Sequence, residues 1–418
     1  MPRELAPGER AFVASSVRSA VDGAFAHWEG AFSLDLDSRF RGLLSATISR
    51  GDRRHFSLEM AAFLASLNNG HTLYRDEVAW RPFLGSMGFS AASFGSKWVI
   101  TQDWAHGLRA GQTIERVDGE STEEAYQGLK RYISASSERG RRRRFFSYLH
   151  LFPRRLVLRI DGRRWIIRRT NQSIAPAEGT SGRWLRRGSS AYIRIPSFVD
   201  PDNERRAVNL VARFHKATAL LIDVRGNTGG TTPRRLLDAL MDRPWRGWAE
   251  SSPQHVGLVR AYAHLFEILE SQQGRGLHLT RERLASLEIY RDWDKTHVLF
   301  PATLNRPQPK PFRGRMILLV DEACRSACED FLLPFKDTGR GVLVGTTTDG
   351  STGQPYILEL PDGIRAFVGA KRCYFPDGRP FEGIGITPDR EVRRTPDDLL
   401  SGRDPALQLA TDLASQDF

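Results

Sequence analysis

The stretch VDEACRSACEDFLLPFKDTG, Val320 to Gly339, decides how this chain is read. An apolar run, RMILLV, leads into it, and after Ser326 the residues Ala327, Phe331 and Phe335 recur at helical spacing. That spacing lays one apolar stripe along a helix. Ser326 thus stands where a strand turns into a helix, and two roles compete for it. Serine is a preferred helix cap, because its oxygen accepts an otherwise free backbone N–H. The carboxyl end of a strand in an α/β sheet is also where ligands bind.

An earlier stretch repeats the device. In ALLIDVRGNTGG a buried strand runs to Asp223 and Val224, and Gly226, Gly229 and Gly230 then permit a sharply turned loop before the next helix. Glycines so close together let backbone N–H groups converge into an anion-binding nest. The spacing matches neither a dinucleotide fingerprint nor a phosphate loop, which needs a following Lys-Ser/Thr. An ordinary strand-to-helix turn is the plain alternative. With both units in one sheet, Ser326 would be placed to attack a carbonyl whose oxygen rests on the amides of Gly229 or Gly230 and of Ala327. The positive end of the serine's helix favours the developing oxyanion.

A serine nucleophile needs a base. All ten histidines precede Ser326, the last being His297. By local context His71, in LNNGHTLY, is the best placed, although a loop histidine is ordinarily a surface residue. Lys371 in VGAKRCYF is the alternative base, and Lys336, within the serine's own helix, is a weaker one.

Composition narrows the class. A chain of 418 residues is expected to form about two or three domains. No apolar run approaches membrane-spanning length. The first residues lack the basic and apolar pattern of a secretory signal, so the expected location is cytoplasmic, while a processed exported form would read the same. Three cysteines, Cys324, Cys328 and Cys373, are too few for a disulfide framework and read as packing residues, with no closed zinc set. The net charge of +12 is carried by arginine, since lysine supplies only seven of the 61 basic residues. The densest run is ERGRRRRFF around Arg141 to Arg144. No nucleic-acid motif accompanies it, and a solvated arginine-rich surface attractive to acidic substrates is the expectation.

Along the chain, residues 1–75 read as a helical segment and 76–172 as a small β-rich domain, with a hairpin at Asp161-Gly162. Within the latter, AHGLRAGQTIERVDG followed by a helix resembles a PDZ-type module. Asn171 to Ser189 reads as a linker, and 173–418 as an α/β domain with a mainly parallel sheet and a helical insertion from about Pro253 to Asp294.

ALLIDVRGNTGG, ILLVDEACRSACEDF, GTTTDGSTGQP and FEGIGITPD occur in the order seen in the tail-specific, or C-terminal processing, serine peptidases and their tricorn-core relatives. LNNGHT is similar to an early DGHT-like element of that family, and AYIRIPSF to the strand opening its catalytic domain. The resemblance spans roughly residues 60 to 392 and implies a β-β-α spiral core of the Clp-protease and crotonase kind. Where one branch carries a catalytic lysine, this chain has Ser351 and Thr352. The tricorn-like branch instead implies His71 as base, Ser326 as nucleophile and Glu382 as the acidic support, with Ser351 as a possible bridging hydroxyl. The expected protein is a serine peptidase acting on unfolded or C-terminal peptide segments, without metal, cofactor or nucleic acid. Its rivals are a non-catalytic ligand- or peptide-binding protein on the same scaffold and an acyl-CoA enzyme of the related spiral fold.

Overall fold

A computed structural model of the chain describes residues 3–31, 33–83, 85–169, 179–253 and 297–415. The helical insertion expected beyond Pro253 lies outside the described residues, as does the 171–178 part of the expected linker. The chain divides into two compact units, each assembled from separated stretches.

The first unit draws on Met1–Arg81, Ala249–Ala302 and Gly353–Pro380. Helix Pro7–Ala24 buries Val13, Ala14, Val17, Val21 and Ala24, the face that its helical spacing dictates. Helix Arg53–Ala65 starts at Asp52, whose carboxylate accepts the His55 N–H at 2.7 Å. The strand Leu73–Asp76 pairs antiparallel with Ile364–Gly369, which pairs in turn with Pro355–Leu360. Phe25, Phe56, Met60 and Leu64 from the helices close over Ile364, Ala366 and Val368 of that sheet. A buried ion pair pins the same unit: Arg53 donates to both oxygens of Asp76 at 2.8 and 2.9 Å. Ser57 Oγ and the N–H groups of Val78 and Ala79 satisfy the remaining capacity of that carboxylate.

The second unit draws on Pro82–Trp248, Thr303–Thr352 and Phe381–Phe418 and contains two larger sheets. In one, Phe89–Phe94, Lys97–Asp103, Thr113–Val117, Arg155–Ile160 and Arg163–Arg168 lie side by side and antiparallel. The hairpin turn falls at Asp161 and Gly162, both with positive φ (46° and 74°), as a two-residue turn of matching twist requires.

The other sheet has the order Arg390–Glu391, Val342–Gly345, Arg315–Val320, Ala219–Asp223, Ser190–Arg194, Ser181–Arg186. All neighbours are parallel except the last pair. Strand Ala219–Asp223 is buried throughout, the signature of a central parallel strand covered on both faces. The helix Pro405–Ser415 lays Ala406, Ala410 and Ala414 onto Leu221, Ile317, Leu319 and Val344.

Two expectations are corrected. Ser181–Arg186 is an edge strand rather than linker. It alternates exposed and partly buried residues and turns Trp184 onto the Phe214 ring at 5.0 Å. Its arginines and glycine mask that alternation in the sequence. The arginine-rich surface is also only partly a surface. Arg10, Arg53, Arg144, Arg169, Arg340 and Arg372 are buried, held by carbonyls and carboxylates.

Candidate active site

Strands Ala219–Asp223 and Arg315–Val320 are adjacent and parallel, with Asp223 beside Leu319. The loops that leave their carboxyl ends therefore start side by side, and these are the glycine loop and the Ser326 segment. Gly229 shows how closely they approach. A Cβ there would lie 2.7 Å from both the Arg325 carbonyl oxygen and Ser326 Cβ, and its φ is +92°. Only glycine fits this position without moving the serine.

Ser326 precedes helix Ala327–Thr338 with φ 55° and ψ −131°. For a residue with a Cβ this costs of the order of 1–3 kcal/mol, so the surroundings must impose it. They do so through the backbone: the Ser326 N–H is shared between the Ser351 carbonyl at 2.9 Å and Glu329 Oε2 at 3.2 Å. The hydroxyl itself makes no capping hydrogen bond. Between nucleophile and cap, the side chain is left unspent by the helix, and Glu329 caps in its place.

Glu329 is fully buried in the first turn of that helix. Besides Ser326, it accepts from Thr348 Oγ1 at 2.5 Å and from the N–H groups of Gly350 and Ser351 at 2.8 and 3.0 Å. Burial pushes its carboxyl well above the usual range, against the pull of these donors. The neighbouring Asp330 works alike. It takes Thr232 Oγ1 at 2.5 Å, Thr352 Oγ1 at 2.8 Å and Trp248 Nε1 at 2.9 Å. The helix thus clamps the glycine loop on one side and the 348–352 segment on the other.

Of the three amides expected to receive an oxyanion, one is already committed. Gly229 N–H donates to Asn227 Oδ1 at 2.9 Å, and the buried Asn227 is held by the Ile195 carbonyl at 3.2 Å. The Ala327 and Gly230 N–H groups have no acceptor among the described residues. Gly230 packs so tightly on the Phe198 backbone, with φ +138°, that a side chain there would collide with it.

Ser351 is buried and bonded to both Ser326 and Glu329. Next to it, the Gly350 carbonyl accepts the Gly383 N–H at 2.7 Å, and a Cβ at Gly350 would stand 2.7 Å from Gly385 N. That contact brings Glu382 to the same segment, where Ser136 Oγ donates to its Oε1.

His71, in the other unit, sits in a turn fixed by Asn69, whose Oδ1 accepts the His71 N–H at 3.0 Å and the Thr72 hydroxyl at 2.9 Å. Thr72 Oγ1 accepts the Gly369 N–H at 2.9 Å, tying the turn to the sheet. Beside it lies His27, buried and pushed down to about 3 by burial, then by Arg372 and His71. Lys371 is ion-paired with Glu250 at 2.9 Å and lies over the Phe300 ring. Lys336 pairs with Asp389.

Cys324, Cys328 and Cys373 are buried and unbridged. Burial raises the Cys324 and Cys328 thiols above their ordinary values, so neither is a ready thiolate. Among the described residues no cluster of histidine, cysteine and carboxylate side chains could hold a metal ion, and no helix is long and apolar enough to cross a membrane.

Glu329, Asn227 and Asn69 were not singled out from the sequence, yet each organises a predicted residue. A signal existed for the first: Ser326-Ala-Cys-Glu329 has the S-x-x-E spacing of a capping box.

Residues 189–392 match the model of Peptidase family S41. Tricorn protease of Thermoplasma acidophilum is 32% identical over 133 residues, covering 31% of this chain and 12% of that protein. A carboxyl-terminal-processing protease of Picosynechococcus sp. is 33% identical over 105 residues, 24% of this chain and 25% of that one. The chain therefore spans a quarter or less of the length of these relatives. Mature CPAF, solved in complex with lactacystin, superimposes with a TM-score of 0.74 at 16% identity, covering 98% of both chains. The fold is thus the mixed α/β fold of S41 peptidase structures, and the resemblance noted in the motifs holds.

Proposed function

We propose that this S41-related chain is a serine peptidase that cleaves peptide bonds through an acyl-enzyme on Ser326. The observation that carries the reading is the strained Ser326, its hydroxyl unused by its helix, against a glycine loop on the adjacent parallel strand. Ser326 Oγ attacks the scissile carbonyl while His71 takes its proton. The N–H groups of Gly230 and Ala327 receive the oxyanion, and the Gly229 N–H, held by Asn227, keeps the loop in shape. The proton then passes from His71 to the leaving amine, and His71 activates the water that hydrolyses the ester. Glu382 supports the base electrostatically, with Ser351 or Ser136 as bridging hydroxyls.

The core is read as a β-β-α spiral, and the antiparallel sheet from Phe89 to Arg168 as a PDZ-like module that presents an unfolded or C-terminal peptide segment. Motif order supports both. Single-turnover acylation is the test. His71→Ala should abolish it and Lys371→Ala should leave most of it. Normal acylation by His71→Ala with loss in Lys371→Ala would replace the histidine by a lysine base.

A further inference from the structure

The arginine run of helix Glu138–Arg144 packs on the segment that supports the nucleophile. A side chain at Gly140 would run into Asp349 Oδ1, so the helix lies directly on that residue. Arg144 Nη2 donates to Asp349 Oδ2 at 2.8 Å, and Arg143 Nη2 stands 3.7 Å from the same oxygen. The Asp349 N–H donates to the Cys324 carbonyl at 2.9 Å, which sets Asp349 alongside Arg325, the residue before the nucleophile. Three guanidiniums thus gather about one carboxylate. Asp321 also faces Arg143, but its Oδ1 accepts the Gly226 and Ala323 N–H groups at 2.9 and 3.0 Å and its Oδ2 shares the Gly226 N–H at 3.1 Å.

The donors of this cluster are not used up. Arg143 Nε and Nη2 and Arg325 Nε are buried without a hydrogen-bond acceptor among the described residues. No described residue forms an ion pair with the Arg325 guanidinium, and burial followed by Arg144 and Arg143 pulls it down to about 10. Buried charged donors are nearly always paired, and like charges held together in a poorly solvated place repel strongly. Those three nitrogens are themselves buried, but both side chains remain partly exposed, so an acceptor from outside can reach Arg143 Nη1 and the Arg325 Nη1 and Nη2 groups. Guanidinium forks fit a carboxylate above other anionic groups of a peptide.

We propose that Arg143 and Arg325, backed by the Arg144–Asp349 pair, form a carboxylate subsite beside Ser326. It takes an acidic side chain, or the free terminal carboxylate, of the peptide that the nucleophile attacks. The identity of that ligand as substrate rests on the peptidase reading; the subsite itself does not.

The test pairs fluorescent peptides that differ only by Glu against Gln, scanned along the sequence, and by a C-terminal acid against an amide. Anisotropy with Ser326→Ala measures binding without chemistry, and kcat/KM with the unmodified protein measures turnover. Carboxylate-bearing peptides should bind at least tenfold more tightly at low salt, and the preference should fall towards one in Arg325→Met. The Glu and terminal-acid arms tell which source is read. Arg325→Met should also raise the thermal midpoint, because it relieves like-charge repulsion, whereas a merely structural arginine would lower it. Should the methionine variant fail to fold, Arg143→Gln carries the same expectation for the binding ratio. Equal binding of acid and neutral peptides, or a preference unchanged in both variants, overturns the subsite. Carboxylate-selective binding without cleavage would uphold it while rejecting the peptidase reading.

Discussion

Glu329 Oε2 accepts the N–H of Ser326 at 3.2 Å from three residues further along the same chain, so a buried carboxylate holds the proposed nucleophile by its backbone. The same side chain gathers Thr348, Gly350 and Ser351, whose carbonyl accepts the other share of the Ser326 N–H. Removing it leaves several buried donors unpaired at about 1–3 kcal/mol each. Glu329→Ala should therefore lose at least about 3 kcal/mol of stability. Glu329→Gln keeps one acceptor and turns an NH2 group towards donors. It should fold, yet lower kcat at least about tenfold with little change in KM, because it displaces the reacting group rather than the substrate. Steady-state kinetics on a variant with a wild-type circular dichroism spectrum checks this. An unchanged kcat would reduce Glu329 to a structural cap.

Gly229 admits no side chain beside Ser326. Gly229→Ala should lower turnover by about a hundredfold, since a Cβ at 2.7 Å from Ser326 Cβ must push the serine or the loop away. Full activity in a folded Gly229→Ala protein would show that the loop plays no part in the reaction.

His27 makes a pH-dependent prediction whose sign is fixed. Its folded value is lowered from 6.5 to about 3 by burial and by Arg372 and His71. On acidification the unfolded chain binds this proton first, so stability is lost as pH falls below about 6.5 and continues to fall towards about 3. The slope is about 1.4 kcal/mol per pH unit. Urea unfolding of the protein and of His27→Gln at pH 7.5 and 4.5 isolates the effect. Their difference in stability should shift by roughly 2–3 kcal/mol in favour of the variant at the lower pH. A constant difference would mean that His27 is not held neutral.

Asp76→Asn breaks the buried pair with Arg53 and leaves the guanidinium without its counter-charge. Stability should drop by about 3–5 kcal/mol, read from denaturant midpoints. A loss below about 1 kcal/mol would place this pair among ordinary surface bridges.

The two strand–loop–helix units were legible because burial writes itself locally. A fully buried parallel strand reads as a continuous apolar run, and Ala327, Phe331 and Phe335 mark one helix face. That their strands are neighbours, and that Gly229 touches Ser326, depends on long-range pairing that no local pattern encodes. Glu329 escaped notice because an acid in a first helical turn is ordinarily a solvated partner of the helix dipole. Asn227 escaped because asparagine between glycines reads as turn chemistry, although its side chain holds the Gly229 N–H. Arg141 to Arg144 read as solvated because composition counts charges without showing where their stems pack. Arg144 is buried against Asp349, and Arg142 lies over the Tyr126 ring.

A fluorophosphonate probe reads directly whether Ser326 is an activated nucleophile. The folded protein should form a single covalent adduct, mapped by mass spectrometry of the digested protein to the peptide containing Ser326. Ser326→Ala should give none while unfolding at nearly the same denaturant concentration, since the lost hydroxyl makes no capping bond. An adduct that persists in Ser326→Ala, or a folded protein that never labels, would rule out Ser326 as the nucleophile.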